Sequence, residues 1–322
     1  MVVGVVAAIL LALEVFNCTQ QFYCMVCRQA CFVVRDRKRN NLVVGIRGTW
    51  SANDVLCDLC CTSEEYRVSP NRNSSRRHLN RRTKYKAHHG MLEAARGVDD
   101  LLRDAVAKEL EADPSLSLVL VGHSLGGSVA AVLASLWEDT FDDIIVYAYG
   151  GACVAPPDDL THLDNGGKTS VRVVTVINEG DPFPSLSLGH VADVSVALSV
   201  LCENPELRNT ILIHTDGRIK DIDQRDSKWC SETMKELRKS MTGEKSYPPG
   251  RLLFLCSDPK GDSQDNETDD SKSHVREVTH DFFHDLVIGP RMFDLSRHVP
   301  RLYHRRLCES LARVRSDRTE EL

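Results

Sequence analysis

One stretch of this chain has the residue types and the spacing for nucleophilic chemistry: Gly122-His123-Ser124-Leu125-Gly126. A serine hydroxyl is a weak nucleophile until a base takes its proton. Glycines two positions before and two after it leave no Cβ where a sharp reversal would press backbone on backbone. The five residues stand between an apolar, partly β-branched run, Val119-Leu120-Val121, and an alanine-rich segment at 128–137. Strand, Gly-x-Ser-x-Gly, helix is the layout that stands a serine oxygen clear of a sheet. It also aims the N–H groups of the first helical turn at a developing oxyanion, that of Leu125 first. The chemistry implied is acyl transfer. The alternative is a tight β-α turn around a buried, hydrogen-bonded serine.

Acyl transfer needs a base for Ser124, and the base needs an acid to fix its tautomer. On an elbow of this kind the acid follows the serine in sequence and the histidine follows the acid. Asp181 suits the acid: it lies in Asn178-Glu179-Gly180-Asp181-Pro182, directly after a buried-type strand at 171–177. Twelve histidines compete for the base, and position separates them. His190 is too near the acid. His274, His280 and His284 sit in or beside polar and amphipathic segments and read as surface residues. His304 falls inside the closing helix. His298 lies on a loop ahead of Pro300 and that helix, and position favours it. A second oxyanion donor is expected at the N–H of Thr49, where an early strand ends in Gly48-Thr49.

The elements that must carry these groups can be read from periodicity. Strands are expected at 31–35 and 42–47, joined by a charged turn, and again at 144–148, 211–214 and 251–256. Met91, Ala94, Ala95, Val98, Leu101, Leu102 and Ala105 recur at helical spacing, predicting a helix over 90–112 that ends at Asp113-Pro114. Further helices are predicted over 191–202 and 231–241 and from about 299 to the end, with a strand-like stretch at 282–288. Strands alternating with helices predict an α/β-hydrolase fold, a mostly parallel central sheet flanked by helices. One catalytic domain is expected over 31–315, after an apolar, cysteine-bearing segment (1–30) and before a polar tail (316–322). Residues 51–60 predict a short amphipathic helix, either a lid over the site or a surface helix. The polar, acidic run 258–273 reads as a loop without the spacing of a calcium-binding loop.

A net charge of −6 argues against a nucleic-acid binder. Residues 67–89 nevertheless form a basic loop with eight Lys and Arg and no acid, either solvated or drawn to anionic head groups. The apolar run 2–13 is too short for a clear membrane span. The twelve cysteines are clustered or scattered and do not read as a secreted disulfide framework. Zinc held by Cys24, Cys27, Cys57 and Cys60 is a lesser alternative, as is acylation of Cys60 or Cys61. The sequons at Asn17, Asn73 and Asn266 matter only in a secreted chain, which the sequence does not favour.

Taken together, several motifs resemble the class 3 lipases, and within them the sn-1-specific diacylglycerol lipases. They are Val44-Gly45-Ile46-Arg47-Gly48-Thr49, His89-Gly90-Met91, Val121-Gly122-His123-Ser124-Leu125-Gly126-Gly127 and Gly180-Asp181-Pro182-Phe183-Pro184. More specific are Tyr247-Pro248-Pro249-Gly250-Arg251 and Gly289-Pro290-Arg291-Met292 leading to His298-Val299-Pro300. The resemblance runs over about 31–311. It implies Ser124 as nucleophile, Asp181 as acid and His298 as base, and hydrolysis of the sn-1 ester of diacylglycerol to 2-monoacylglycerol and a fatty acid. It also implies no required cofactor, stimulation by calcium, and a membrane-associated protein whose catalytic domain faces the cytoplasm. Neighbouring expectations are a triacylglycerol lipase, a phospholipase acting on sn-1 esters, or an inactive lipid-binding module on the same fold.

Overall fold

The computed structural model describes residues 29–49, 62–68, 83–156, 171–206, 208–209, 232, 235, 237–257, 273–284 and 295–320. Two compact units are present: one runs to Leu186 and resumes at Ser246, the other is Ser187–Lys245.

The larger unit is built on a seven-stranded sheet in the order β1-β2-β5-β6-β7-β8-β9. Its strands are β1 (Cys31–Asp36), β2 (Asn41–Ile46), β5 (Ser117–His123), β6 (Ile144–Tyr149), β7 (Val171–Asn178), β8 (Arg251–Ser257) and β9 (Ser273–Val278). The five central strands pair in parallel, while β1 and β9 close the two edges antiparallel. Parallel strands point their C-terminal ends the same way, so the loops after Ile46, His123, Tyr149 and Asn178 gather at one edge of the sheet. That is where a parallel sheet presents chemistry.

Helix α1 (His89–Ala112) and helix α2 (Leu125–Trp137) lie on one face. Almost every residue of α2 is buried, from Leu125 through Leu133 to Trp137, as expected of a helix apolar on all sides. Alternation along β7 assigns the faces. Val173 and Ile177 join the core that contains α2, whereas Val176 packs with Tyr303 of the closing helix, α4 (Pro300–Glu320), on the other face. This sheet, with helices on both faces and a serine elbow after β5, is the α/β-hydrolase fold.

Three expectations change. The basic loop 67–89 is in part a hairpin: β3 (Ser63–Val68) pairs antiparallel with β4 (Thr83–His88). Its polar sequence conceals two strands, which are held by Tyr66 opposite Tyr85 and by Lys84 bound to Glu65 at 2.8 Å. The second change is β9, which begins where the acidic loop was expected to end. As an edge strand paired on one side only, it carries Arg276 and Glu277 and lacks an apolar signature. Third, the start of the strand-like stretch 282–288 belongs to a 3-10 helix, His280–Phe283. Phe282 and Phe283 cluster there with Phe254. The expected helix over 51–60, strand 211–214, sequons and zinc cysteines lie outside the described residues.

The smaller unit contains α3 (Leu188–Glu203), capped by Ser187, whose hydroxyl accepts from the N–H of His190. Lys245 forms an ion pair with Asp193 at 2.6 Å, both side chains 7% exposed, and Asp193 also accepts from the N–H of Gly243. A Cβ on Gly189 would lie 2.2 Å from the carbonyl oxygen of Glu244, so glycine is required where these segments meet.

Candidate active site

Ser124 sits at the turn between β5 and α2 with φ 56 and ψ −131. A non-glycine residue holds such a conformation only where its surroundings enforce it. The enforcement is local. The N–H of Ser124 donates to the carbonyl of Tyr149 at 2.8 Å, and its own carbonyl accepts from the N–H groups of Gly127 and Ser128. A Cβ on Gly122 would lie 2.3 Å from the carbonyl carbon of Gly126, and one on Gly126 would lie 2.3 Å from the carbonyl oxygen of Ile46. These contacts jam β2, β5 and α2 together at the elbow. The same crowding carries the end of β2 past the serine: a Cβ on Gly48 would meet the carbonyl oxygen of His123 at 2.5 Å and Ser124 Cβ at 3.4 Å. Thr49 follows on that chain. Leu125, fully buried, is the first residue of α2, and its N–H has no acceptor within the helix.

Asp181 ends a turn closed by its N–H donating to the carbonyl of Asn178 at 3.0 Å. Gly180, the third residue of that turn, has φ +81, which glycine adopts without strain. His298 ends a short 3-10 helix, Leu295–His298, immediately before α4. The tertiary structure brings these residues to Ser124 from positions 57 and 174 residues further along the chain. His298 Nε2 lies 2.8 Å from Ser124 Oγ, and His298 Nδ1 lies 2.8 Å from Asp181 Oδ2. In the neutral tautomer Nδ1–H donates to the carboxylate, and Nε2 accepts from the serine hydroxyl. The Asp181 side chain is fully buried and that of His298 is 12% exposed. Gly150, with φ +57, makes the room: a Cβ there would lie within 3.1 Å of Tyr303 Oη, Asp181 Oδ2 and His298 Cε1.

The family profile described as Lipase (class 3) matches residues 43–190, a span that contains the elbow and Asp181. Over that span the chain is similar to the class 3 lipases. It is 26% identical to diacylglycerol lipase-beta of Mus musculus over 89% of this chain and 44% of that protein. To diacylglycerol lipase-alpha of Rattus norvegicus it is 26% identical over 84% of this chain and 26% of that protein. The chain thus spans less than half the length of these relatives. Among solved structures, the lipase from Rhizopus microsporus var. chinensis is 21% identical over 51% of this chain and 54% of its own, with a TM-score of 0.41.

The serine, histidine and aspartate are held in turn by further groups around them. Tyr303, on α4 and 2% exposed, donates its hydroxyl to Asp181 Oδ2 at 2.5 Å and accepts from the N–H of Asn178 at 3.1 Å. Burial and the neighbouring carboxylate push its phenol well above the usual range, so it stays a donor. Asp181 Oδ1 accepts from the N–H of Phe183, whose ring lies against His298 with centroids 4.1 Å apart. The side-chain amide of Asn178, fully buried, donates to the carbonyl of Arg297 at 3.1 Å. Cys153 donates its thiol to the carbonyl of Pro184 at 3.2 Å, tying the acid loop to the segment after β6. The only signal for Tyr303 in the sequence was an aromatic residue near the start of the helix after His298.

The competing histidines have other work. His190 is fully buried in the smaller unit, its Nδ1 at 2.7 Å from Ser187 Oγ. His280 donates to the carbonyl of Pro248, and His284 Nδ1 lies 2.9 Å from the hydroxyl of Tyr247, so both brace the Tyr247-Pro248-Pro249-Gly250 turn. His284 is exposed, as expected, and His280 is half-buried, the 3-10 helix turning both onto that turn. His304 lies exposed on α4. Among the described residues no three His, Cys, Asp or Glu side chains converge as metal ligands. Among them, too, no helix is long and apolar enough to cross a membrane.

Proposed function

We propose that this chain is a serine lipase that hydrolyses the sn-1 acyl ester of diacylglycerol, releasing 2-monoacylglycerol and a fatty acid. The observation that carries the chemistry is the unbroken series Ser124 Oγ, His298 and Asp181 with both links at 2.8 Å. His298 takes the serine proton as Oγ attacks the ester carbonyl. The N–H groups of Leu125 and Thr49 stabilise the oxyanion, which develops where the helix N-terminus already concentrates positive potential. His298 then protonates the departing glycerol oxygen, and water, deprotonated in turn by His298, cleaves the acyl-enzyme. Asp181 holds the imidazole in the required tautomer and stabilises the imidazolium without taking its proton. No step uses a metal.

Two observations support a lipid ester as substrate. The relatives named diacylglycerol lipase match across most of this chain. Exposed apolar side chains also flank the loops of the acid and the base: Leu186, Leu295 and Val299 are 41%, 61% and 44% exposed. Such a rim suits a substrate that arrives from a membrane surface, with the cytoplasmic leaflet as the proposed location and the basic residues of 67–89 as a further contact to its head groups.

The test is hydrolysis of sn-1-labelled diacylglycerol in mixed micelles, beside triacylglycerol and phosphatidylcholine, with Ser124→Ala as the blank. Preferential release from diacylglycerol is expected, with kcat falling by roughly 10⁴ to 10⁶ in the variant. Release from the other lipids alone would keep the acyl-transfer chemistry and move the substrate. No Ser124-dependent release, with no labelling by a fluorophosphonate, would make the chain a lipid-binding module.

A further inference from the structure

The residue before the nucleophile has no part in the acyl-transfer steps, yet it touches both the main chain and the ring of the base. Because side chains alternate along a strand, Gly122 faces α2 and His123 faces the opposite side, where α4 packs. His123 Nε2 lies 2.6 Å from the main-chain carbonyl oxygen of His298. A carbonyl only accepts, so Nε2 carries the proton and donates. The ring of His123 also lies against that of His298, centroids 4.6 Å apart, and meets the Tyr303 ring edge-on at 5.8 Å.

We propose that His123 is a positioning residue whose imidazole N–H grips the carbonyl of His298 and so sets the distance from the base to Ser124. The base loop needs such a grip. Its 3-10 helix is a single turn, and Pro300 supplies no N–H to anchor the start of α4. The chain is held instead at two consecutive carbonyls by side chains from two strand ends: Arg297 by Asn178 on β7, His298 by His123 on β5. The nucleophile follows His123 directly in the chain, so this bond couples the base to the backbone that carries Ser124. A shift of about 1 Å between reacting groups costs on the order of a hundredfold in rate.

The site also requires His123 to stay neutral. His298 becomes an imidazolium during each acyl transfer, and a second cation stacked on it would oppose that step. The titratable groups facing His123 are His298, Asp181 and Tyr303. Burial, reinforced by His298, lowers its pKa from 6.5 to about 4, with the Asp181 carboxylate pulling the other way. Near neutral pH it is therefore an uncharged donor.

This inference rests on the acyl-transfer reading of Ser124, and the experiment separates the two. The whole chain is assayed on p-nitrophenyl butyrate and by the rate of fluorophosphonate labelling of Ser124, as wild type, His123→Ala and His123→Gln. Glutamine places an amide N–H close to where Nε2–H lies, and it does not titrate. His123→Ala is expected to lower kcat and the labelling rate by roughly ten- to a hundredfold with KM little changed. His123→Gln is expected within about threefold of wild type. The acid limb of the wild-type kcat/KM profile should steepen toward two protons near pH 4, and that of His123→Gln should keep a slope of one.

A wild-type enzyme that labels and turns over while His123→Ala matches it overturns the positioning role alone. So does a His123→Gln variant as impaired as His123→Ala. A wild type that neither labels nor turns over overturns the acyl-transfer reading and this one with it. Should His123→Ala fail to fold, the glutamine variant and the two acid limbs decide: wild-type kcat with a slope of one supports the role, and identical limbs overturn it.

Discussion

Ser124 and His298 stand 2.8 Å apart but are held in different ways. The serine is fixed by what surrounds it in the chain: a strand, a strained φ of 56, and glycines at 122 and 126 where any Cβ would collide with backbone. The carbonyl of Tyr149 and the end of β2 add to this from elsewhere in the chain. The histidine sits on a one-turn helix with little local structure. Its place depends on side chains from other elements: Asn178 and His123 on carbonyls 297 and 298, Asp181 on its ring nitrogen, and Tyr303 behind the aspartate. One half of the site is stiff by steric exclusion, the other by directed hydrogen bonds. Overpacking should therefore break the first, and loss of a donor or acceptor should loosen the second.

The largest effect is expected from Asp181→Asn. The amide presents a donor as well as an acceptor to His298 Nδ1 and allows the wrong tautomer, so kcat should fall by roughly 10⁴ with the fold intact. Steady-state kinetics beside a thermal melt check this, and a loss below about tenfold would remove Asp181 from the series. Next is Gly126→Ala, which tests the stiff half. The added methyl would lie 2.3 Å from the carbonyl oxygen of Ile46 and 2.7 Å from that of Arg47, backbone that cannot rotate away. The expected loss is about 3 kcal/mol or more in denaturant unfolding. An unchanged midpoint would show that the elbow is looser than its geometry.

The smallest effect, and the one that sharpens the comparison most, is Tyr303→Phe. It removes one hydrogen bond to the Asp181 carboxylate and the acceptor for the N–H of Asn178, and leaves the ring packing in place. About a tenfold loss in kcat is expected, as for one bond to a charged group. If the variant keeps wild-type kcat across the pH range, the base side does not depend on its remote donors, and the contrast fails.

The same division explains what was legible in the sequence. The elbow could be read because strand, glycine, serine, glycine and helix are consecutive, and each acts on its neighbour. Asp181 could be read as an acid after a strand, and His298 by its position ahead of Pro300. The strands β5 to β8 were legible from their buried apolar runs, and α1 from its periodicity. The hairpin β3–β4 and the edge strand β9 were not: pairing on one side only leaves their sequences polar, and pairing, not burial, makes them strands.

By itself, then, the sequence determined the elbow that carries Ser124, the order in which Asp181 and His298 follow it, and a parallel sheet to hold them, because each rests on steric limits and patterns within a few residues. Only the tertiary structure decided which groups hold the base. His123, Asn178 and Tyr303 have ordinary places in their own elements, and their roles arise where the ends of β5 and β7 meet α4 across long stretches of chain. A hydrogen bond between residues more than a hundred positions apart leaves no mark on local spacing, since its energy depends on where the backbone has already been placed.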